Sequence, residues 1–95
     1  MAFRLSKEAE QDVAALYRFG TLNFGLDAST RYAEGLRGRF HFLSQFPRAA
    51  RERHDVRPPV RIFVYHSHLV AYRIEDGDVF VVRVLHHSMD WRTEL

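Results

Sequence analysis

The sequence predicts an α+β domain in the order β-α-α-β-β-β: an antiparallel sheet with an N-terminal helical hairpin packed on one face. Three observations carry this reading. Apolar residues recur at three- and four-residue spacing through the first half of the chain. From Val60 the pattern changes to runs of β-branched and aromatic residues. An Asp-Gly pair, a strong hairpin signal, then separates the last two of those runs.

Phe3 to Leu5 reads as a short first strand. Ser6 suits a helix N-cap, and Glu8 and Glu10 place acids where the helix dipole favours them. Ala9, Val13, Leu16, Tyr17, Gly20 and Phe24 then recur at helical spacing, and Gly25 fits the position that ends such a helix. Asp27 or Ser29 can cap a second helix, whose apolar positions are Tyr32, Leu36, Phe40, Leu43 and Phe46. Pro47 stops it by pushing its predecessor out of helical conformation. A link of about two residues makes the pair an antiparallel hairpin. Tyr32, Phe40 and Phe46 are expected in the core, with Phe19, Phe42 and Phe63 off the apolar stripes and available to a partner.

Arg48 to Pro59 has no period and reads as a loop. Val60–Tyr65, Leu69–Ile74 and Val79–Leu85 read as strands, with His66-Ser67-His68 as a turn region. The last run is almost wholly apolar, as expected of a central strand buried on both faces.

At 95 residues the chain makes a single domain, 1–95, with neither repeats nor low-complexity stretches. It is 46% hydrophobic and holds eight Phe and four Tyr, so it can build a core. Each ring buries roughly 150–250 Å². A domain this small buries only about two-thirds of its unfolded surface, so a partner that binds the native state would add to its stability. Without cysteine it can form neither disulfides nor thiolate metal sites, which suits a reducing cytoplasm. No signal segment or membrane span is expected, and the protein is expected to be cytoplasmic. The net charge is +2, and Lys7 is the only lysine among 14 basic residues. Arg forks suit carboxylates and phosphates alike, so an acidic peptide and a nucleic acid both stay open as partners.

Four strings, in this order and on these elements, resemble the RelE/ParE toxin–antitoxin superfamily. They are Leu5 to Val13, Phe46-Pro47, the hairpin with Val60-Arg61-Ile62 and His66 to Arg73, and above all Val82-Arg83-Val84-Leu85-His86-His87-Ser88-Met89-Asp90. The last is similar to a ParE-type ending. The resemblance covers essentially the whole chain. It implies the toxin of a type II toxin–antitoxin system that inhibits DNA gyrase, and thereby replication and growth, with a role in plasmid stabilisation. It also implies a ParD-type antitoxin that wraps the toxin in a hetero-oligomeric complex. Direct sequence-specific DNA binding by the toxin alone is not implied. The RelE branch offers an alternative, ribosome-dependent cleavage of mRNA, and a non-toxic antitoxin-binding relative is a third.

Metal-free RNA cleavage needs a base, an acid and cations for the phosphorane charge. The candidates are Arg61, Arg73 and Arg83, one on each late strand, with His86. Strand alternation allows the three Arg to converge on one face. The plainer reading makes that face solvated, or a dock for antitoxin carboxylates. No persuasive acid/base pair accompanies the arginines, so the sequence favours a toxin that works by binding, with no catalytic residues. The residues then expected to meet antitoxin or target are Arg61, Arg73, Arg83, His87, Asp90 and Trp91. Trp91 is also expected as a lid over the sheet edge or hairpin, and Asp90 as a helix cap or Arg partner. If the strand runs on, the rings of His86 and His87 face opposite ways. His66 and His68 face the same way in a strand but lack a third ligand, so neither metal nor cofactor is expected.

Overall fold

The computed structural model describes residues 1–95. Strand β1 (Phe3–Leu5) leads into helices α1 (Lys7–Phe24) and α2 (Leu26–Gln45). Strands β2 (Glu52–Arg53), β3 (Val60–Tyr65), β4 (His68–Glu75) and β5 (Asp78–His86) follow, and a short helix α3 (Trp91–Glu94) closes the chain. They form one five-stranded sheet in the order β1-β5-β4-β3-β2. The β3-β4-β5 meander is antiparallel as expected, but β1 joins β5 in parallel, which makes the sheet mixed. The predicted loop from Arg48 to Pro59 also contains a strand, β2, which pairs with Val60 and Arg61.

The helix ends follow from local chemistry. Ser6 Oγ accepts from the amide of Ala9 at 2.9 Å and its hydroxyl donates to Val82 O at 2.6 Å, so one residue caps α1 and ties it to β5. Gly25 ends α1 and starts α2 with φ of 90°, a conformation that favours glycine. The hairpin link is thus one residue, not two, and Asp27 and Ser29 lie inside α2 rather than capping it. Ser29 is buried and donates to Tyr17 O at 2.8 Å, holding the two helices together. The helices meet closely near there: a Cβ on Gly20 would sit 2.7 Å from Ser29 Oγ.

The hairpin covers one sheet face, as expected. Ala9, Leu36, Phe40 and Leu43 pack on Tyr65, Val70, Tyr72, Val79, Val81 and Val84. Phe46, expected in this core, is 56% exposed instead, because as the C-cap residue (φ −128°, ψ 67°) it leaves helical conformation and with it the apolar stripe of α2. Phe24 is likewise exposed at the hairpin tip. The other face carries a smaller core in which Trp91 packs with Val60 and Leu85. Trp91, expected as a lid over the sheet edge or hairpin, instead roofs the face away from the hairpin.

A β-bulge interrupts the β4–β5 pairing. Tyr72 faces Val81 and Ala71 faces Arg83, which leaves Val82 as an extra residue. The Asp76-Gly77 turn closes this hairpin with φ positive at both residues, as a type I′ turn requires. No helix is long and apolar enough to cross a membrane.

Candidate functional site

Strand β1 accompanies β5 only as far as Val81, so the end of β5 has no strand partner on that side. Side chains of the α1 region satisfy part of the exposed edge. Asp12 Oδ2 accepts the Val84 amide at 2.9 Å, just as Ser6 meets Val82 O. The same carboxylate holds Arg83 with both oxygens: Nε to Oδ2 at 2.7 Å and Nη2 to Oδ1 at 3.0 Å. Arg83 Nη1 also donates to Glu94 O at 3.2 Å, linking α1, β5 and α3. Asp12 thus favours the Arg83 cation and raises its pKa further.

A groove of about 740 Å³ runs beside this clamp. Leu16, Phe19 and Phe24 of α1 form one wall, Ser29 and Tyr32 of α2 another, and Arg83 to His86 with Met89 the floor. The lining is largely apolar, and Phe19, Phe24 and Met89 are 63, 72 and 41% exposed. Leu22 and Leu26 extend the apolar surface around the hairpin tip.

One end of the groove is aromatic and imidazole-rich. Tyr32 and His68 share a hydrogen bond of 2.7 Å from hydroxyl to Nδ1, and the Tyr65 hydroxyl donates to Tyr32 O at 3.2 Å. Burial pushes the Tyr32 hydroxyl above its usual pKa. Burial also lowers His68, with His86 and His87 adding to the effect, so its neutral form is favoured. The rings of His86 and His87 stack, with centroids 4.6 Å apart, instead of facing opposite ways, because the strand ends at His86. His66 belongs to the two-residue turn before β4 and has a left-handed φ of 48°. No three His, Asp or Glu side chains are grouped so as to hold a metal ion.

The structure does not bring the three strand arginines together. Arg61 lies on the hairpin side, where Nη1 donates to Ala50 O at 2.6 Å and steadies the loop after α2. Arg73 lies across from Phe80 on the other side and pairs with Glu75 at 3.2 Å. Arg83 turns around the free edge of β5 to Asp12. Its long side chain is drawn there by Asp12, whose two oxygens both hold the guanidinium. Of the other candidates, His86 lines the groove and His87 stacks on it. Asp90 caps α3 by accepting from the Arg92 amide at 3.2 Å, and Trp91 is buried. The residues that sequence reasoning missed are Asp12, Tyr32, His68 and Met89. An acid inside a helix that starts with acids gives no signal of a strand partner, and Tyr32 reads simply as core.

The chain is a small α+β domain with an apolar groove between a helical hairpin and a sheet edge, and comparison supplies the family. Residues 3–91 match the family model described as "ParE toxin of type II toxin-antitoxin system, parDE". Toxin ParE3 of Caulobacter vibrioides is 32% identical over 84 residues, 88% of this chain and 84% of that protein. Toxin ParE1 of the same organism is 28% identical over 93 residues, covering 98% and 96%. Toxin ParE1 of Mycobacterium tuberculosis is 29% identical over 89 residues, covering 93% and 91%. Among solved structures, a chain of the "Chromosomal ParDE TA system from P. aeruginosa" shares the fold, with a TM-score of 0.78 at 16% identity, over 90% of this chain and 95% of that one. The chain therefore belongs to the ParE toxin family of type II toxin–antitoxin systems.

Proposed function

We propose that this toxin acts in the cytoplasm by binding DNA gyrase rather than by cutting RNA, and that a ParD-type antitoxin neutralises it by occupying the groove. The observation that carries the non-enzymatic reading is the state of Arg83. Its guanidinium is held by both oxygens of Asp12, and Arg61 and Arg73 point elsewhere, so no cation cluster awaits a phosphate. The groove supports the antitoxin reading: its exposed phenylalanines would fit the apolar face of a helix, the usual way an amphipathic segment is recognised. The gyrase target rests on family membership. Purified toxin is expected to inhibit gyrase supercoiling, and its cognate antitoxin to restore it. No inhibition at stoichiometric excess would refute the target.

A further inference from the structure

Four of the six histidines gather where the β3–β4 turn meets the end of β5. With two tyrosines their rings form a continuous chain. His66 lies 4.6 Å from Tyr65 and 5.9 Å from Tyr32, centroid to centroid. Tyr32 lies 5.5 Å from His68, His68 lies 5.4 Å from His86, and His86 stacks on His87 at 4.6 Å. His68 and His86 line the groove, and Met89, on its floor, belongs to the turn that follows His86. The His87 amide donates to Ser67 O at 2.8 Å, so the two turns are tied together.

Two hydrogen bonds in this chain of rings involve an imidazole Nδ1. Nδ1 of His86 accepts the Ser88 amide at 3.1 Å, which only an unprotonated nitrogen can do, and the Ser88 hydroxyl meets the same atom at 2.7 Å. With the Met89 amide donating to His86 O at 3.0 Å, these bonds shape the turn that carries Met89. A proton on Nδ1 cancels the Ser88 amide bond, because two N–H donors then face each other. His68 responds differently. Its Nδ1 meets the Tyr32 hydroxyl at 2.7 Å, and that hydroxyl can turn to Tyr65 O at 3.4 Å once Nδ1 carries a proton. The bond at His68 survives by reversing, whereas the one at His86 is lost.

No carboxylate offsets the charge these rings take up in acid. The one histidine in an ion pair is His54, with Glu52, outside the cluster. From α2 the cluster faces Tyr32 and, 5.9 Å from the Tyr65 ring, the Arg39 cation. From β5 it faces Arg83, whose charge is taken by Asp12 of α1, with Glu8 and Glu94 bearing on the same guanidinium. Asp90, beyond His87, pairs with Arg92. Protonated rings at these separations repel one another, and burial already favours the neutral form of His68. We propose that the cluster is a pH-operated latch on the groove: at neutral pH the packed rings hold the His86–Met89 turn closed, and in acid the turn opens and withdraws Met89 from the groove floor. The latch is a property of the chain itself and does not depend on what fills the groove.

The test follows the purified chain by NMR from pH 7.5 to 5.0, across the ordinary imidazole range near about 6.5. The amides of His87, Ser88 and Met89 are expected to shift in one step, together with the ring protons of Phe19 and Phe24, which share the groove with Met89. The amides of Ala9 and Val70, in the core, should stay in place. In His86→Asn, shown folded by circular dichroism, the side-chain oxygen can accept the Ser88 amide at any pH, as in an Asx turn, so the step should disappear. His54→Gln, outside the cluster, should leave it unchanged. The proposal is overturned if the Ser88 and Met89 amides do not move, or if they move without Phe19 and Phe24. It is equally overturned if His86→Asn keeps the step or His54→Gln removes it. Loss of the Ala9 and Val70 signals in the same step, the mark of global unfolding, would overturn it too.

Discussion

Replacing Asp12 by alanine removes two hydrogen bonds to Arg83 and one to the Val84 amide in a single step. The side chains of Arg83 and Asp12 are only 23 and 16% exposed, so water replaces these bonds poorly. A buried polar group left without a partner costs about 1–3 kcal/mol. Stranding one member of a fully buried ion pair costs about 3–5 kcal/mol, and partial exposure lowers that here. A combined loss of roughly 2–4 kcal/mol is expected, large against the ~5–15 kcal/mol of a typical domain. For a chain of this size it would lower Tm on the order of 10–25 °C. Asp12→Asn keeps an acceptor for Val84 but loses the charge, so it should fall between wild type and Asp12→Ala. A double-mutant cycle with Arg83→Met, followed by urea denaturation, isolates the ion pair from the Val84 bond. A loss below about 0.5 kcal/mol for Asp12→Ala, the level of an exposed pair, would refute the claim that this clamp fastens α1 to β5.

Four further substitutions have expected outcomes. Gly35→Ala would drive a Cβ into the buried Tyr65 hydroxyl and should cost about 1–3 kcal/mol. Gly38→Ala meets nothing within 4 Å and should stabilise by up to ~1 kcal/mol; equal effects in thermal melts would contradict the packing of α2 on β3. Because burial lowers His68, the unfolded chain takes up a proton there more readily than the folded chain. The stability this confers is present above the ordinary imidazole value of about 6.5 and falls as pH drops below it. The fall in Tm between pH 7.5 and 5.5 should therefore shrink in His68→Gln, and an unchanged fall would contradict the assignment. Phe19→Asp should leave the fold intact, since that ring is 63% exposed, yet weaken antitoxin binding by ~30-fold if Phe19 is an anchor of the groove. Unchanged affinity by calorimetry would place the antitoxin elsewhere.

Much of the fold was legible because its signals are local. Ser6, Gly25, Pro47 and Asp76-Gly77 each carry their own capping or turn chemistry, and the structure uses all four at element boundaries. What stayed hidden depends on partners far along the chain. Strand β2 is two residues long and has no alternation to read; pairing with Val60 and Arg61 makes it a strand. The bulge at Val82 is invisible because Val82-Arg83-Val84 reads as perfect alternation until β4 sets the register. The expected arginine face fails for another reason of pairing: Arg61 stands opposite Tyr72, so the next residue, Arg73, falls on the other side of the sheet. The partner that occupies Arg83 stands 71 positions earlier, in a helix whose acids looked like ordinary dipole partners. Phe46 fitted the helical stripe, but the helix ends at Gln45 and the non-helical backbone of Phe46 turns it out of that stripe. The groove was foreseen only through Phe19, because the walls of a groove are set by tertiary packing.

A toxin that acts by binding gyrase, as proposed, leaves mRNA intact. Adding purified toxin to ribosomes translating a defined mRNA, and mapping the mRNA ends, tests it most directly. No new ends are expected at any toxin concentration that inhibits gyrase. Discrete cuts at ribosome-occupied codons, abolished by the antitoxin, would contradict it.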